Sequence, residues 1–429
     1  MSGYAEYREV NLPWLKAVPA HWEIRRNKNI FTEQKEIVGE RSADYTLLSL
    51  TLNGIIPRDM DGGGKFPESF DKYKIVKNGD MAFCLFDIDE TPRTVGLSGY
   101  NGMLTGAYTI MRVSNINARF IYYYYLALDN GKMLRPLYTG LRKTININTF
   151  QSTKVPVPPR EEQDQIVRFL DWKVSSINRL INIKQEQLRK VKELLDRLFR
   201  DTTSKCSKKV KIKYLFELDD DFFVPDASES YAKAGMYNRG RGIFLREPCL
   251  GNELGDSQFQ HIHSDRLMLS GQFAWEDAVY ITQEKDTHGI ASHRYYLLKP
   301  VRYIPVEYLW LYFLSGEGFF NLQQCSHGSA GRNRPLNIKE VLNLELPVPD
   351  DKEKANALNE LVRDYMRLQV ITEEEKKALL DFKTHLVADI VTGKIDVRGI
   401  EIPEYEFVDE DTDTGNEDGS EEETEEQED

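Results

Sequence analysis

Two stretches of the chain repeat apolar residues at alternating spacings of three and four, which is the period of one helix face. The first runs from Ile166 to Leu198, and the second holds the same register 191 residues later, from Ala357 to Asp389. Prolines precede both stretches and Gly393 follows the second, which suits helix starts and a helix stop. The matching seams predict two long helices that pair as an antiparallel coiled coil. An ordinary amphipathic core helix is the alternative for either stretch alone.

Polar residues interrupt both seams near their middles. Lys184 occupies the first seam, and Thr372 and Glu375 occupy the second. In an antiparallel pair with pseudo-two-fold symmetry the helix middles meet. We therefore expect Lys184 to lie near Glu375 and to help set the register of the coiled coil, as polar seam residues can.

The regions outside the helices also repeat. Asn146-Ile147 returns as Asn337-Ile338, and Val155–Pro158 returns as Leu346–Pro349, both at a separation of 191. A repeat this long indicates a duplicated domain rather than a solenoid.

Between the helices, short apolar segments broken by glycine and polar turns predict mixed α/β (α+β) domains. Two aromatic runs stand apart from this pattern, Phe120–Leu128 and its counterpart Val306–Leu314. Each run predicts a buried helix, although a tyrosine run can also stack bases.

The net charge of −13 is distributed unevenly along the chain. Residues 401–429 contain 16 acidic and no basic residues, which leaves 53 acidic against 56 basic residues before them. The body is therefore close to neutral, and the acidic end predicts a disordered tail. Such a tail either solvates the chain or competes for basic surfaces. Scattered cysteines, no long apolar span and no signal-peptide pattern lead us to expect a cytoplasmic protein.

No catalytic or cofactor-binding constellation is evident. Gly393-Lys394 lacks the upstream glycine of a phosphate loop, and Gly62–Lys65 does not match a dinucleotide fingerprint. His261 and His263 lack the spacing of a zinc site. We expect no catalytic, cofactor-binding or metal residues in this chain.

The order of these motifs resembles the specificity (S) subunit of type I restriction–modification systems, over about residues 10–398. The resemblance rests on the duplication, on the two proline-introduced helices and on three segments: Leu12–Glu23, Pro159–Gln163 and Val391–Ile395. The second copy departs from the pattern, with Lys352-Glu353-Lys354 in place of Glu-Glu-Gln. The resemblance implies target recognition domain 1 at 1–157, helix 1 at 158–204, recognition domain 2 at 205–349 and helix 2 at 350–396. The acidic disordered tail, residues 397–429, is predicted from composition and lies outside the resemblance.

This resemblance also implies a function and partners. Each recognition domain would read one half of a bipartite target in double-stranded DNA, and the coiled coil would set the distance between the halves. A helix of about 40 residues is about 60 Å long, or roughly 17 base pairs. Two methyltransferase (M) subunits carrying S-adenosylmethionine would dock on the helices, and restriction (R) subunits using ATP and Mg could join them. The chain itself would be a non-catalytic subunit.

Residues that contact DNA are expected among loop Arg, Lys and Asn side chains, since phosphates and base edges select these types. The candidates are Arg58, Lys65, Arg93, Arg142 and Lys143 in the first domain, and Arg239, Arg241, Arg246, Arg294, Arg332, Asn333 and Arg334 in the second. A duplicated protein–protein scaffold that does not read DNA is the competing interpretation, favoured by the near-neutral body.

Overall fold

In a computed structural model of the chain, each Val/Leu-Pro-Val-Pro segment forms an outer strand directly before a long helix. Val155 pairs with Arg25, and Leu346 pairs with Val210, each within a two-stranded antiparallel sheet. Proline is tolerated there because a two-stranded sheet leaves one edge of each strand unpaired. The structure describes residues 2–52, 54–58, 69–138, 143–204, 206–238, 240–255, 257–328, 334–349 and 352–409.

The described chain forms two units: unit 1 comprises residues 1–184 and 374–429, and unit 2 comprises residues 185–373. Each long helix therefore contributes one part to each unit. The helices are α1 (Ala118–Asn130), α2 (Ile147–Ser152), α3 (Arg160–Thr203), α4 (Val306–Leu314), α5 (Gly316–Gln324), α6 (Ile338–Asn343) and α7 (Lys352–Val391).

The strands of unit 1 are β1 (Tyr7–Leu12), β2 (Leu15–Pro19), β3 (Glu23–Arg26), β4 (Phe31–Gln34), β5 (Leu48–Thr51), β6 (Gly54–Pro57), β7 (Lys74–Val76), β8 (Asp80–Phe83), β9 (Val95–Leu97), β10 (Gly102–Leu104), β11 (Thr109–Val113) and β12 (Lys154–Val157). The strands of unit 2 are β13 (Lys208–Lys211), β14 (Phe216–Leu218), β15 (Phe222–Phe223), β16 (Ser230–Met236), β17 (Ile243–Leu245), β18 (Cys249–Leu250), β19 (Phe259–His261), β20 (Leu267–Ser270), β21 (Val279–Ile281), β22 (Gly289–Ser292), β23 (Tyr295–Pro300) and β24 (Glu345–Val348).

The two units contain four-stranded antiparallel sheets of matching order. Unit 1 has β4-β11-β8-β9 and unit 2 has β14-β23-β20-β21. Strands β8 and β20 are buried along their whole length, which places each at the centre of its core. The sheets around this framework differ: unit 2 adds a six-stranded sheet, whereas unit 1 adds two-stranded pairs. The coarse fold is therefore mixed helix and sheet, as predicted.

Local signals in the sequence account for the shorter helices. The two aromatic runs form the buried helices α1 and α4, so the prediction for both is confirmed. The repeated Asn-Ile pairs are helix starts, because Asn146 caps α2 and Asn337 caps α6 through their side-chain oxygens. Helix α7 ends at Val391, earlier than the predicted boundary at 396, and Gly393 follows with φ of +76°.

Within unit 1 the first part of α3 packs against the last part of α7. Ile166 and Leu170 share one core with Val387 and Ile390. Lys184 Nζ lies 2.5 Å from Glu375 Oε2, and Lys383 Nζ lies 3.2 Å from Asn178 Oδ1. Residue numbers rise along one helix as they fall along the other, so these helix parts run antiparallel.

Glu162 is a buried acceptor at the start of α3, with 5% of its surface exposed. Its carboxylate accepts hydrogen bonds from Tyr4 Oη at 2.7 Å and Trp22 Nε1 at 2.9 Å, and lies 2.7 Å from His21 Nε2. The Glu-Glu-Gln segment thus ties the N-terminal region to helix α3. Its repeat counterpart, Glu353, is exposed.

Residues 397–409 correct part of the expected tail. Gln165 donates to the carbonyls of Val397 and Ile400, and Asn178 donates to that of Val408. The segment is ordered against α3 because side chains on the helix satisfy its backbone, a contact that composition does not reveal. Residues 410–429 lie outside the described part of the chain.

Candidate nucleic-acid interface

In unit 2 the segment 270–277 gathers backbone partners from three other parts of the chain. Gly271 N donates to Arg294 O at 2.7 Å, and Leu336 N donates to Gly271 O at 2.8 Å. Gly240 N donates to Asp277 O at 2.7 Å. These bonds bring together the loops that carry Arg241, Arg294 and Arg334. We call the segment 270–277 the arginine hub, because the loops that carry these three arginines all bond to it.

Two of these arginines lie against aromatic rings. The Arg334 guanidinium carbon is 4.8 Å from the centre of the Trp275 ring, and that of Arg241 is 5.1 Å from the centre of the Tyr237 ring. Stacking of this kind holds a guanidinium plane in one orientation while its N–H groups remain available. The aromatic partners were missed at the sequence level. Tyr237 stands four residues before Arg241, but nothing local links Trp275 to Arg334.

Arg246 and Arg294 extend the same surface. Both lie close enough to the Tyr295 hydroxyl to lower its pKa, although burial is the larger cause and the net pKa is raised. Arg294 is exposed at the end of β22. Unit 2 thus brings together four predicted arginines: Arg241, Arg246, Arg294 and Arg334. Three further candidates, Arg239, Arg332 and Asn333, lie outside the described residues.

The loop that carries Arg241 is bonded to an acidic residue, Asp277, through Gly240 N. Asp277 contacts Lys192 on α3, with Nζ 3.2 Å from Oδ2. Burial raises the pKa of Asp277, and the neighbouring Lys192 opposes that shift. Asn238 Nδ2 donates to Glu276 Oε2 at 2.8 Å, which attaches a second point of the loop to the arginine hub.

Two of the candidates that the structure describes in unit 1, Arg93 and Lys143, lie in ion pairs with acidic residues. Arg93 is 14% exposed and its Nη1 lies 3.0 Å from Asp129 Oδ2, so it is engaged in an ion pair within unit 1. Asp129 also accepts bonds from Thr94 and Lys132, which makes the group a structural ion cluster. Lys143 Nζ lies 3.2 Å from Glu90 Oε1 at the surface.

The remaining candidates of unit 1 are Arg58, which follows strand β6, and Lys65 and Arg142. The last two lie outside the described residues.

Within the described ranges, no group of three or more His, Cys, Asp or Glu residues is placed to hold a metal ion. His261 and His263 both contact the Asp221 carboxylate at 3.0 Å, which lowers the pKa of Asp221. In the same part of the chain, no helix has the length and apolar character needed to cross a membrane.

Part of the chain matches a known domain family. Residues 70–190 match the type I restriction modification DNA specificity domain. The matched range includes strands β7 to β12, helices α1 and α2, and the first part of α3. The likeness to this family is therefore shown for that part of the chain.

Three solved structures are similar to this chain, and one of them has a TM-score above 0.5. A chain from a structure on complex assembly and conformational transition of the type I R-M system is 11% identical, with a TM-score of 0.52. The match covers 88% of this chain and 99% of that one. The HsdS subunit from Thermoanaerobacter tengcongensis is 10% identical, with a TM-score of 0.39 and coverage of 88% and 98%.

The S subunit from M. genitalium is 14% identical, with a TM-score of 0.42 and coverage of 92% and 100%. Compared by sequence with curated proteins, this chain matches none of them.

Proposed function

We propose that this chain reads a bipartite DNA target as a non-catalytic subunit, one half through each recognition domain. The proposal is carried by the arginine surface of unit 2. Arg241 and Arg334 are held by aromatic rings beside a segment that also binds the Arg294 backbone. Arginine forks suit guanine edges and phosphates, and loops of this kind can enter a groove.

The long helices are proposed to form the antiparallel coiled coil that sets the spacing between the two half-sites. The matching seams support this, as does the ion pair between Lys184 and Glu375, which occupy the same position in the two repeats. A helix of 44 residues, the length of α3, spans about 66 Å. A helix of that length can span two short DNA half-sites and the spacer between them, which is not read.

The same helices are proposed to dock two M subunits, which would supply S-adenosylmethionine and the methyl transfer. R subunits using ATP and Mg could join that complex. Both helices expose several large apolar side chains. This is more apolar surface than a helix face that contacts only water usually carries. These side chains are Leu180, Ile183 and Leu194 on α3, and Leu361, Leu368, Ile371 and Phe382 on α7.

The test is co-expression with the candidate M subunit, followed by mapping of methylated sites in genomic DNA. We expect one split motif, and we expect Arg334→Gln to relax one position in one half only. The matched control is Arg302→Gln, at an exposed arginine that follows strand β23 in unit 2. A complex that binds M subunits but methylates no split motif would support the protein–protein scaffold instead.

A further inference from the structure

Both long helices contact one loop of unit 2, which the structure describes at residues 237–238 and 240–242. Gln369 on α7 donates from Nε2 to Gly240 O at 3.1 Å. Lys192 on α3 pairs with Asp277, whose backbone carbonyl accepts the Gly240 N–H. The loop is therefore fixed at Gly240, directly through α7 and by way of Asp277 through α3.

The loop leaves no room for a side chain at its point of attachment. Gly240 has φ of +65°, a conformation that disfavours other residues. A Cβ there would lie 3.1 Å from Asp277 Oδ2 and 3.3 Å from Lys192 Nζ. The close approach means that the loop backbone rests directly on the ion pair.

The fixed backbone determines where the next residue points. Arg241 donates from Nε to Asn238 O at 3.1 Å and from Nη2 to Asn238 Oδ1 at 2.6 Å. Its guanidinium also stacks on Tyr237. The orientation of Arg241 thus depends on the loop, and the position of the loop depends on Lys192 and Gln369.

The equivalent helix positions of unit 1 hold something else. Asn178 and Lys383 lie 191 residues from Gln369 and Lys192, respectively. Asn178 donates to Val408 O at 3.0 Å, and Lys383 donates to Asn178 Oδ1 at 3.2 Å. In unit 1 this helix amide therefore holds the C-terminal segment, whereas in unit 2 it holds a loop of the recognition domain.

We infer that Gln369 and Lys192 are positioning residues for base recognition, and that they direct Arg241 toward one position of the half-site read by unit 2. The inference rests on the proposed function. It makes the long helices part of the reading apparatus of that half-site, in addition to their proposed role as a spacer.

The experiment uses the full chain in complex with its M subunits. Gln369→Leu removes the donor to Gly240, and Lys192→Met removes the charge beside Asp277. We expect both variants to accept additional bases at one position of one half-site, with discrimination there reduced about 10-fold, within the range for loss of one bidentate contact. The other half-site is expected to be unchanged. Lys192→Arg keeps the charge and is expected to keep the wild-type motif.

Asn178→Leu is the matched control, because it breaks the equivalent bond in unit 1 and is expected to leave the motif unchanged. Thermal unfolding of every variant is measured in parallel. The inference is overturned if Gln369→Leu keeps full discrimination, or if it relaxes both half-sites alike, whatever its melting temperature. If the wild-type complex methylates no split motif, the proposed function fails first, and the two failures are thereby distinguished.

Discussion

The two units use one framework to hold different segments. Their four-stranded sheets have matching strand order, and their long-helix segments place an amide at equivalent positions, Asn178 and Gln369. Each amide donates to a backbone carbonyl, that of Val408 in unit 1 and that of Gly240 in unit 2. The duplicated helices thus offer a general anchoring position, and the segment placed on it distinguishes the units.

A second difference concerns the helix starts. Glu162 is buried among Tyr4, His21 and Trp22, whereas Glu353 is exposed at the equivalent position. The same residue type is therefore a structural acceptor in one repeat and a surface group in the other. Retention of a residue between repeats does not by itself show that its role is retained.

The largest expected effect comes from the apolar seam. Leu195 and Leu386 occupy equivalent positions and are buried in the cores of unit 2 and unit 1, respectively. Replacing either with alanine is expected to lower the free energy of unfolding by about 2–5 kcal/mol through a cavity. Hydrogen exchange should show the loss in the unit that contains the cavity. Equal loosening of both units by either variant would contradict the division of the chain into two units.

The second-largest effect is expected for substitutions at the starts of the two long helices, which should differ in their loss of stability. Glu162→Leu leaves buried donors of Tyr4 and Trp22 without their acceptor and should cost about 2–3 kcal/mol. Glu353→Leu serves as the control and should change stability by less than about 0.5 kcal/mol, as exposed substitutions generally do. Urea unfolding measures the free energy of unfolding of both variants. Equal losses of free energy would contradict the difference between the two helix starts.

Two aspartates should respond to pH in opposite directions. Arg398 lowers the pKa of Asp396 in unit 1, whereas burial raises the pKa of Asp277 in unit 2. An unfolded aspartate titrates near about 3.9. The stabilisation from Asp396 is therefore present above that pH and is lost as the pH falls through the lowered pKa. That from Asp277 is present below it and is lost as the pH rises through the raised pKa.

The measurement is the unfolding free energy of wild type minus that of Asp396→Asn or Asp277→Asn, followed from pH 3 to pH 7. The first difference should grow with rising pH and the second should shrink. Slopes of the same sign would show that one of the two environments is wrongly described.

The smallest effect is expected at the helix middles. Lys184 and Glu375 are partly exposed, so their coupling should be about 0.2–1 kcal/mol. A double-mutant cycle with Lys184→Leu and Glu375→Leu measures it, and raised salt should weaken it. If the losses in unfolding free energy of the two single variants add exactly in the double variant, the pair does not help set the register.

Features encoded over a few residues were predictable from the sequence. Helical spacing located α3 and α7, the tyrosine run located α1, and Gly393 marked the end of a helix. Asn146 and Asn337 were visible as a repeat, and the structure adds that both are caps.

Features that depend on distant partners were not predictable. Arg93 was taken for a surface cation because nothing in its own neighbourhood reveals Asp129, 36 residues away. The charge of residues 401–409 suggested disorder, yet their backbone is bound by side chains more than 200 positions earlier in the chain. In the candidate interface, composition identified Arg334, but the ring that orients it became visible only in the fold.

The division of the chain into units also has a consequence for biosynthesis. Unit 2 is one continuous stretch, residues 185–373, whereas unit 1 needs residues from both sides of it. On a ribosome, unit 2 has its whole sequence available before the last part of α7 has emerged. The region translated first must therefore wait for the last helix segment to complete its core, and meanwhile Ile166 and Leu170 lack their partners Val387 and Ile390. The nascent chain should thus complete its second unit before its first.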